Sequence, residues 1–203
     1  MTRTAARAAV LALTGVLAAT TLTTTALTTT APPATAGAPA ERAEITRVVL
    51  RVVGCDDCSF TAHSYRSGED AAWSGPVRRV RDGKVVLRVP TRLTEGMSIS
   101  LTAPWERRTG AVSNVVFRYR GQQPGDRVSP QEAREARRGS ACFPGIDAPR
   151  IKLRVKVHRA HFPGTGARAT GAAAYTVVSQ PTVGNRERVY DGFLGSQDVI
   201  PCR

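Results

Sequence analysis

Aromatic residues, histidine and cysteine are all scarce in this chain of 203 residues. Aromatic residues make up 5% of it, and it contains three His and four Cys. These small numbers exclude a haem or multi-iron protein, a dense disulfide knot and most catalytic machinery built on histidine. Hydrophobic residues still reach 41%, which suffices for a folded core and excludes wholesale disorder.

Short catalytic and nucleotide-binding motifs are missing as well. The chain has no Gly-x-Ser-x-Gly elbow, no His-Glu-x-x-His, no phosphate-cradling Gly-Lys-Ser/Thr loop and no dinucleotide fingerprint. His158 and His161 lie close together just before a Phe-Pro-Gly turn, where histidines are more often solvated than catalytic. The sequence therefore predicts a protein that is not an enzyme and that holds no metal and no cofactor.

The N-terminus has the features of a secretory leader. Arg3 and Arg7 precede an apolar run over residues 8–19, and Ala34-Thr35-Ala36 forms a small-x-small cleavage site. A membrane-spanning helix needs about 20 apolar residues, so this run is too short to span. We expect residues 1–36 to be removed and the mature protein to be extracellular.

The mature chain is expected to form one domain. Residues 37–44 are a short Ala/Pro linker, and residues 45–203 form the domain that follows it. Segments of alternating apolar and polar residues predict a series of short strands. They lie at residues 47–52, 60–65, 77–81, 84–89, 97–101, 115–119, 151–157, 172–178 and 188–194. Asp82-Gly83 supplies the positive φ values of a tight hairpin turn between two of them.

This pattern predicts a mainly β fold, specifically an antiparallel β-sandwich of immunoglobulin-like or prealbumin-like type. One short surface helix is expected near residues 130–138. Ser129 is a good N-cap, Pro130 suits the first helical position, Glu132 completes a capping box, and Gly139 ends the segment.

The four cysteines are an even number in a chain with a secretory leader, which favours two disulfides among three possible connectivities. Spacing suggests Cys55 with Cys58 and Cys142 with Cys202, with the crossed pairings as the alternative. A second interpretation of Cys55 and Cys58 is a redox pair or a zinc site completed by His63 and a distant Cys or His. Because a strand pattern follows the pair and two carboxylates lie between the sulfurs, the structural disulfide is preferred.

Acidic residues are in deficit, since 16 Asp and Glu face 29 Lys and Arg, giving a net charge of +13. The excess is clearest where basic residues occupy alternate positions of one predicted strand. These are Arg150, Lys152, Arg154, Lys156 and His158. In a strand all five point to one face, forming a stripe about 27 Å long at about 3.3 Å per residue.

A stripe of like charge destabilises the fold unless counterions, acidic neighbours or a polyanion offset it. The stripe therefore predicts binding to acidic cell-wall polymers or other anionic surfaces, without a specific nucleic-acid partner. The alternative is that high arginine usage reflects a GC-rich genome and that the stripe only keeps the protein soluble.

Trp73 and Trp105 lie beside turn residues, where exposed rings could stack on a sugar or anchor a partner. The alternative is that they close the ends of the core, which a small domain with few aromatic residues needs.

Several segments together resemble small secreted proteins of high-GC actinobacteria whose function is not established. They are Val53-Gly54-Cys55, residues 82–91, Leu101-Thr102-Ala103-Pro104-Trp105 and Ala141-Cys142-Phe143. The resemblance implies a secreted protein and supplies no catalytic residue. The leading hypothesis is a secreted, non-enzymatic β protein that binds anionic polymers, and the rivals are a metal or redox protein using Cys55 and Cys58, and a protease inhibitor.

Overall fold

Strands dominate the computed structural model, which describes residues 44–64, 72–106, 113–135, 139–161, 170–183 and 202. The strands are β1 (Ile45–Val53), β2 (Ser59–Ser64), β3 (Trp73–Ser74), β4 (Arg78–Arg79), β5 (Lys84–Pro90), β6 (Met97–Thr102), β7 (Ser113–Val116), β8 (Arg118–Tyr119), β9 (Gly139–Ser140), β10 (Arg150–His161) and β11 (Thr170–Thr176). A short helix, α1 (Pro130–Glu135), lies between β8 and β9. The mainly β prediction is confirmed, and the strand predicted at 188–194 lies outside the described residues.

Nine of the strands form one continuous sheet in the order β3-β2-β6-β7-β11-β10-β1-β5, with β4 attached to β2. β8 and β9 form a separate pair. The prediction of a purely antiparallel sheet is wrong, because β1 pairs with β10 and β7 pairs with β11 in parallel. The predicted two-sheet sandwich is not confirmed either, since the large sheet curls into a half-barrel.

The curl explains how a single sheet buries the apolar side of alternating strands. Twist accumulates from strand to strand, so a sheet of this size bends round on itself. β5, at one end of the strand order, lies against β2 and β4 near the other end. The inner face of the curled sheet therefore meets itself, and no second sheet is needed to exclude water from it.

The inner face carries the main core, with fully buried residues from several strands such as Leu50, Phe60, Ile99 and Val155. A second, smaller cluster lies on the outer face. It consists of Val116, Tyr119, Val128, Ala133, Ala160, Ala173 and Tyr175. α1 and the chain around residue 128 thus cover the outer face of β7 and β11, but their cluster includes no residue of β1 or β5.

α1 begins as its sequence predicts. The backbone N–H of Glu132 donates to Ser129 Oγ at 3.0 Å, and the N–H of Ala133 donates to the Ser129 carbonyl. Its surface position is also as expected, although Ala133 is fully buried against the sheet. The part of the predicted helix at 136–138 lies outside the described residues.

The Asp82-Gly83 turn is a hairpin turn of the expected kind, with φ values of 50° and 64°. Arg81 and Lys84 exchange two backbone hydrogen bonds across it, at 2.9 and 3.0 Å. The incoming arm then departs from the prediction, because β4 pairs with β2 whereas β5 pairs with β1. The two arms of the hairpin therefore separate soon after the turn.

Two disulfides join the cysteines as their spacing suggested. Cys55–Cys58 closes the turn between β1 and β2, and Cys142–Cys202 links positions 60 residues apart. Just before the first bridge, Gly54 has a φ of 93°, and a Cβ there would collide with the Val157 carbonyl oxygen. The close approach of β1 to β10 at this point therefore requires glycine.

Candidate anion-binding surface

β10 places its charged residues as the alternation predicts. Leu153, Val155 and Val157 are buried on the inner face of the sheet. Alternating with them, Lys152 and Arg154 are exposed on the outer face and Lys156 is half-buried there. Arg150, at the start of the strand, is also exposed. Four of the five predicted stripe residues thus share one solvent-accessible face.

His158, the fifth residue of the predicted stripe, belongs to a different environment. Its ring stacks on that of Tyr175 with centroids 5.6 Å apart, and its Nε2 lies 3.0 Å from the Tyr175 hydroxyl. Tyr175 is fully buried in the outer cluster beneath α1. Because its ring packs against Tyr175 of the neighbouring strand β11, His158 lies at the rim of that cluster. Alternation along β10 alone does not predict this contact.

The strands next to β10 add four basic residues that the sequence analysis did not include. β1 is the parallel neighbour of β10 and contributes Arg47 and Arg51, and β5 is the antiparallel neighbour of β1 and contributes Lys84 and Arg88. All four are exposed. Their alternation was visible in the sequence, but nothing in it indicated that these three strands are neighbours.

We call the resulting surface the basic face. It consists of Arg47, Arg51, Lys84, Arg88, Arg150, Lys152, Arg154 and Lys156. Two cross-strand rows are entirely basic, Arg88–Arg47–Arg150 and Lys84–Arg51–Arg154. Adjacent strands lie about 4.8 Å apart, so each row is about 10 Å wide.

The row between the two basic rows contains only one charged residue, Lys152. Val49 lies between Val86 and Lys152, and it is only 3% exposed although it points outward. This burial is as expected for a small residue flanked by long arginine side chains, whose carbon stems lie along apolar surface while their charged ends stay in water.

The charges of the basic face are not neutralised by neighbours within the described part of the chain. None of the eight side chains forms an ion pair or a hydrogen bond with a carboxylate there. Because seven of the eight are exposed, they keep their hydration and remain available to an external anion. The basic face is therefore a broad cationic surface that spans three strands, rather than a stripe along one.

A groove opens at the edge of this surface, between the separating arms of the hairpin. We call it the hairpin groove, and its volume is about 530 Å³. It is lined by Val77, Arg78, Arg79, Arg81, Lys84, Val85 and Val86. Lys84 belongs to both the groove and the basic face, so the two cationic surfaces are continuous.

The two tryptophans both pack against the main core and are only partly exposed. The Trp105 indole N–H donates to the Gly171 carbonyl at 2.8 Å, and the Arg159 guanidinium lies over its ring. Trp73 packs beside Gly75 near the meeting point of β2 and β5. These contacts favour the interpretation that both rings close the core.

The structure gives no support to a zinc site at Cys55 and Cys58. The two sulfurs are bonded to each other, and no group of three or more His, Cys, Asp or Glu able to hold a metal occurs among the described residues. His63, the expected third ligand, lies between two hydroxyls instead. Its Nδ1 is 2.8 Å from Ser74 Oγ, and its Nε2 is 2.7 Å from Ser100 Oγ. Burial lowers the pKa of His63 below its usual 6.5, since the charged ring loses hydration.

Comparison of the chain with protein-family models, with curated proteins and with solved structures finds no match. In the described part of the chain, no helix has the length and apolar character needed to cross a membrane.

Proposed function

We propose that this protein is secreted and binds anionic polymers of the cell envelope or the extracellular space through the basic face, without catalysing a reaction. One observation carries the proposal. Eight basic side chains from three adjacent strands share one face, and no carboxylate among the described residues neutralises them. An unneutralised array of this kind raises the local concentration of polyanions and speeds their association.

The arrangement of the charges favours a polymer over a small anion. The two basic rows cross the strands and lie about 13 Å apart along them, at about 3.3 Å per residue, so no single small anion can contact all eight groups. A flexible polyanion crossing the strands can contact several of them at once, and each contact releases counterions condensed on the polymer. Binding by the basic face is therefore expected to be multivalent and weakened strongly by salt.

Two disulfides, which are typical of extracellular proteins, agree with an extracellular location. The leader pattern over residues 1–36 supports secretion. A measurement of intact mass on culture supernatant tests this part of the proposal. We expect a mature chain that begins at or within a few residues of Gly37, and retention of the leader would contradict secretion by this route.

The function itself is tested by charge reversal on the basic face. In the variant K152E/R154E both changes are on exposed side chains and leave the buried residues of β10 untouched. We expect the variant to fold and its affinity for heparin or teichoic acid to fall by about tenfold or more, because attraction becomes repulsion at two sites.

The matched control is R120E/R127E, which makes the same change in charge at exposed positions outside the basic face. We expect this control to lose much less affinity than K152E/R154E. If the two double variants elute from an anionic column at the same salt concentration, only net charge matters and the basic face is a solubilising surface.

A further inference from the structure

The hairpin groove exists because the two arms of one hairpin have different partners. Arg81 and Lys84 are held together by two backbone hydrogen bonds. Beyond Arg81, the N–H of Val80 donates to the Cys58 carbonyl on the β2 side, whereas from Lys84 onward the other arm pairs with β1. One arm is thus bonded to β2 and the other to β1, and the groove between the arms is a consequence of this pairing.

The lining of the groove is strongly cationic. Arg78, Arg79, Arg81 and Lys84 give it four positive charges, and none of its lining residues in the described part of the chain is a carboxylate. The remaining lining residues are valines, of which Val77 is 67% exposed. The groove therefore offers several cations and a small apolar wall to one ligand group.

A backbone donor also points toward the groove. In an antiparallel pair the backbone groups of successive residues face opposite edges of the strand. Since the N–H of Lys84 donates across the hairpin to Arg81, the N–H of Val86, two residues further, faces the same edge, away from β1. This N–H donates no hydrogen bond on that side within the described residues. An anion in the groove can accept it.

We propose that the hairpin groove binds a phosphate group of the polymer and so makes the protein prefer phosphate-bearing polymers, such as polyol phosphates, to carboxylate-bearing ones. This inference rests on the proposed function, since the polymer lies on the basic face and enters the groove past Lys84. A carboxylate has two oxygens in one plane and satisfies one guanidinium fork. A phosphate has tetrahedrally arranged oxygens that accept from several guanidinium groups and a backbone N–H together. The valines contact the carbon chain between phosphates.

The test compares polyphosphate with polygalacturonate of matched charge count, measuring the dissociation constant and its dependence on salt. We expect the parent protein to prefer polyphosphate by about tenfold, as bidentate guanidinium contacts add to the nonspecific attraction. The variant R79Q/R81Q should lose most of this preference while its affinity for polygalacturonate falls by only about threefold. The control R120Q/R127Q removes the same charge outside the groove and should keep the preference.

A charge-preserving variant separates geometry from charge. R79K/R81K keeps the four positive charges but removes two planar guanidinium forks. We expect it to retain the parent's salt dependence and to lose most of the preference for polyphosphate. A preference that is unchanged in R79Q/R81Q overturns the inference.

The outcomes also distinguish this inference from the proposed function. A parent protein that binds both polymers equally well overturns the phosphate preference and leaves the proposed function intact, whereas binding to neither polymer overturns both. If R79Q/R81Q fails to fold, backbone amide shifts of the parent titrated with glycerol 3-phosphate serve instead. Shifts concentrated at residues 77–86 support the groove, and shifts elsewhere alone overturn it.

Discussion

Reversing the charge of Arg51 should make the protein more stable, although the residue is exposed and the change adds no apolar contact. Arg51 lies in a cross-strand row between Lys84 of β5 and Arg154 of β10. None of these three side chains has a carboxylate partner within the described residues. The folded state therefore holds three like charges together that the unfolded chain keeps apart.

The size of the effect follows from this spacing. Directly paired side chains begin about 5 Å apart at Cβ, and we take about 7 Å for their flexible charged ends. Two unit charges at about 7 Å repel by about 0.6 kcal/mol in water, and at 0.1 M salt screening reduces this to about 0.3 kcal/mol. Arg51→Glu replaces two repulsions with two attractions, so the free energy of unfolding should rise by about 1 kcal/mol.

Thermal denaturation at low and high salt measures this change in stability. We expect R51E to raise Tm by about 2–4 °C at 0.1 M salt, and R51Q to give about half of that, because it only removes the repulsion. At 1 M salt the Debye length is about 3 Å, and both gains should vanish. The reversal R120E, outside the basic face, is the control. A gain that persists at high salt, or a loss of stability at low salt, would refute the electrostatic argument.

Three further perturbations test other parts of the structure. Gly54→Ala should lower the free energy of unfolding, measured by chemical denaturation, by about 3 kcal/mol or more, because the new Cβ would collide with a carbonyl oxygen at a positive φ. Gly121 has a φ of 90° but open space around it, so Gly121→Ala should lower it by only about 1 kcal/mol. Replacing both cysteines of the Cys142–Cys202 bridge with serine should lower the free energy of unfolding by about 2–4 kcal/mol, since it frees a loop of 60 residues; unchanged urea midpoints would contradict this. Because the folded pKa of His63 is lowered, the unfolded chain takes up its proton first, so stability should fall as pH drops through about 6.5 toward the folded pKa. His63→Gln should make the urea midpoint less dependent on pH over that range, and an equal slope in both proteins would assign the dependence to other groups.

Local features of the fold were predictable because short-range chemistry determines them. The Asp82-Gly83 turn follows from the positive φ that glycine permits, and the start of α1 follows from the hydroxyl of Ser129. The inward residues of β10 follow from the alternation of a strand. Each of these depends only on residues within a few positions of one another.

Strand partners were not predictable, because a period of two is the same in parallel and antiparallel strands. β1 and β10 are about 100 residues apart in the chain and pair in parallel. The sequence therefore indicated the half of the basic face that lies on β10. The other half lies on β1 and β5, which only the structure shows to be neighbours of β10. For the same reason, alternation along β10 assigned His158 to the stripe, whereas its ring stacks on Tyr175 of the neighbouring strand.

The parallel pairing of β1 with β10 also determines the stage of folding at which the basic face forms. β1 is synthesised early, and the strand that supplies half of the charges follows about 100 residues later. Pairings between such distant segments are entropically costly and form slowly, in milliseconds to seconds. A chain truncated before residue 150 has a β1 with one edge open and lacks the β10 half of the basic face. Polyanion binding through this face should therefore appear late in folding, as a property of the completed sheet and of no fragment of it.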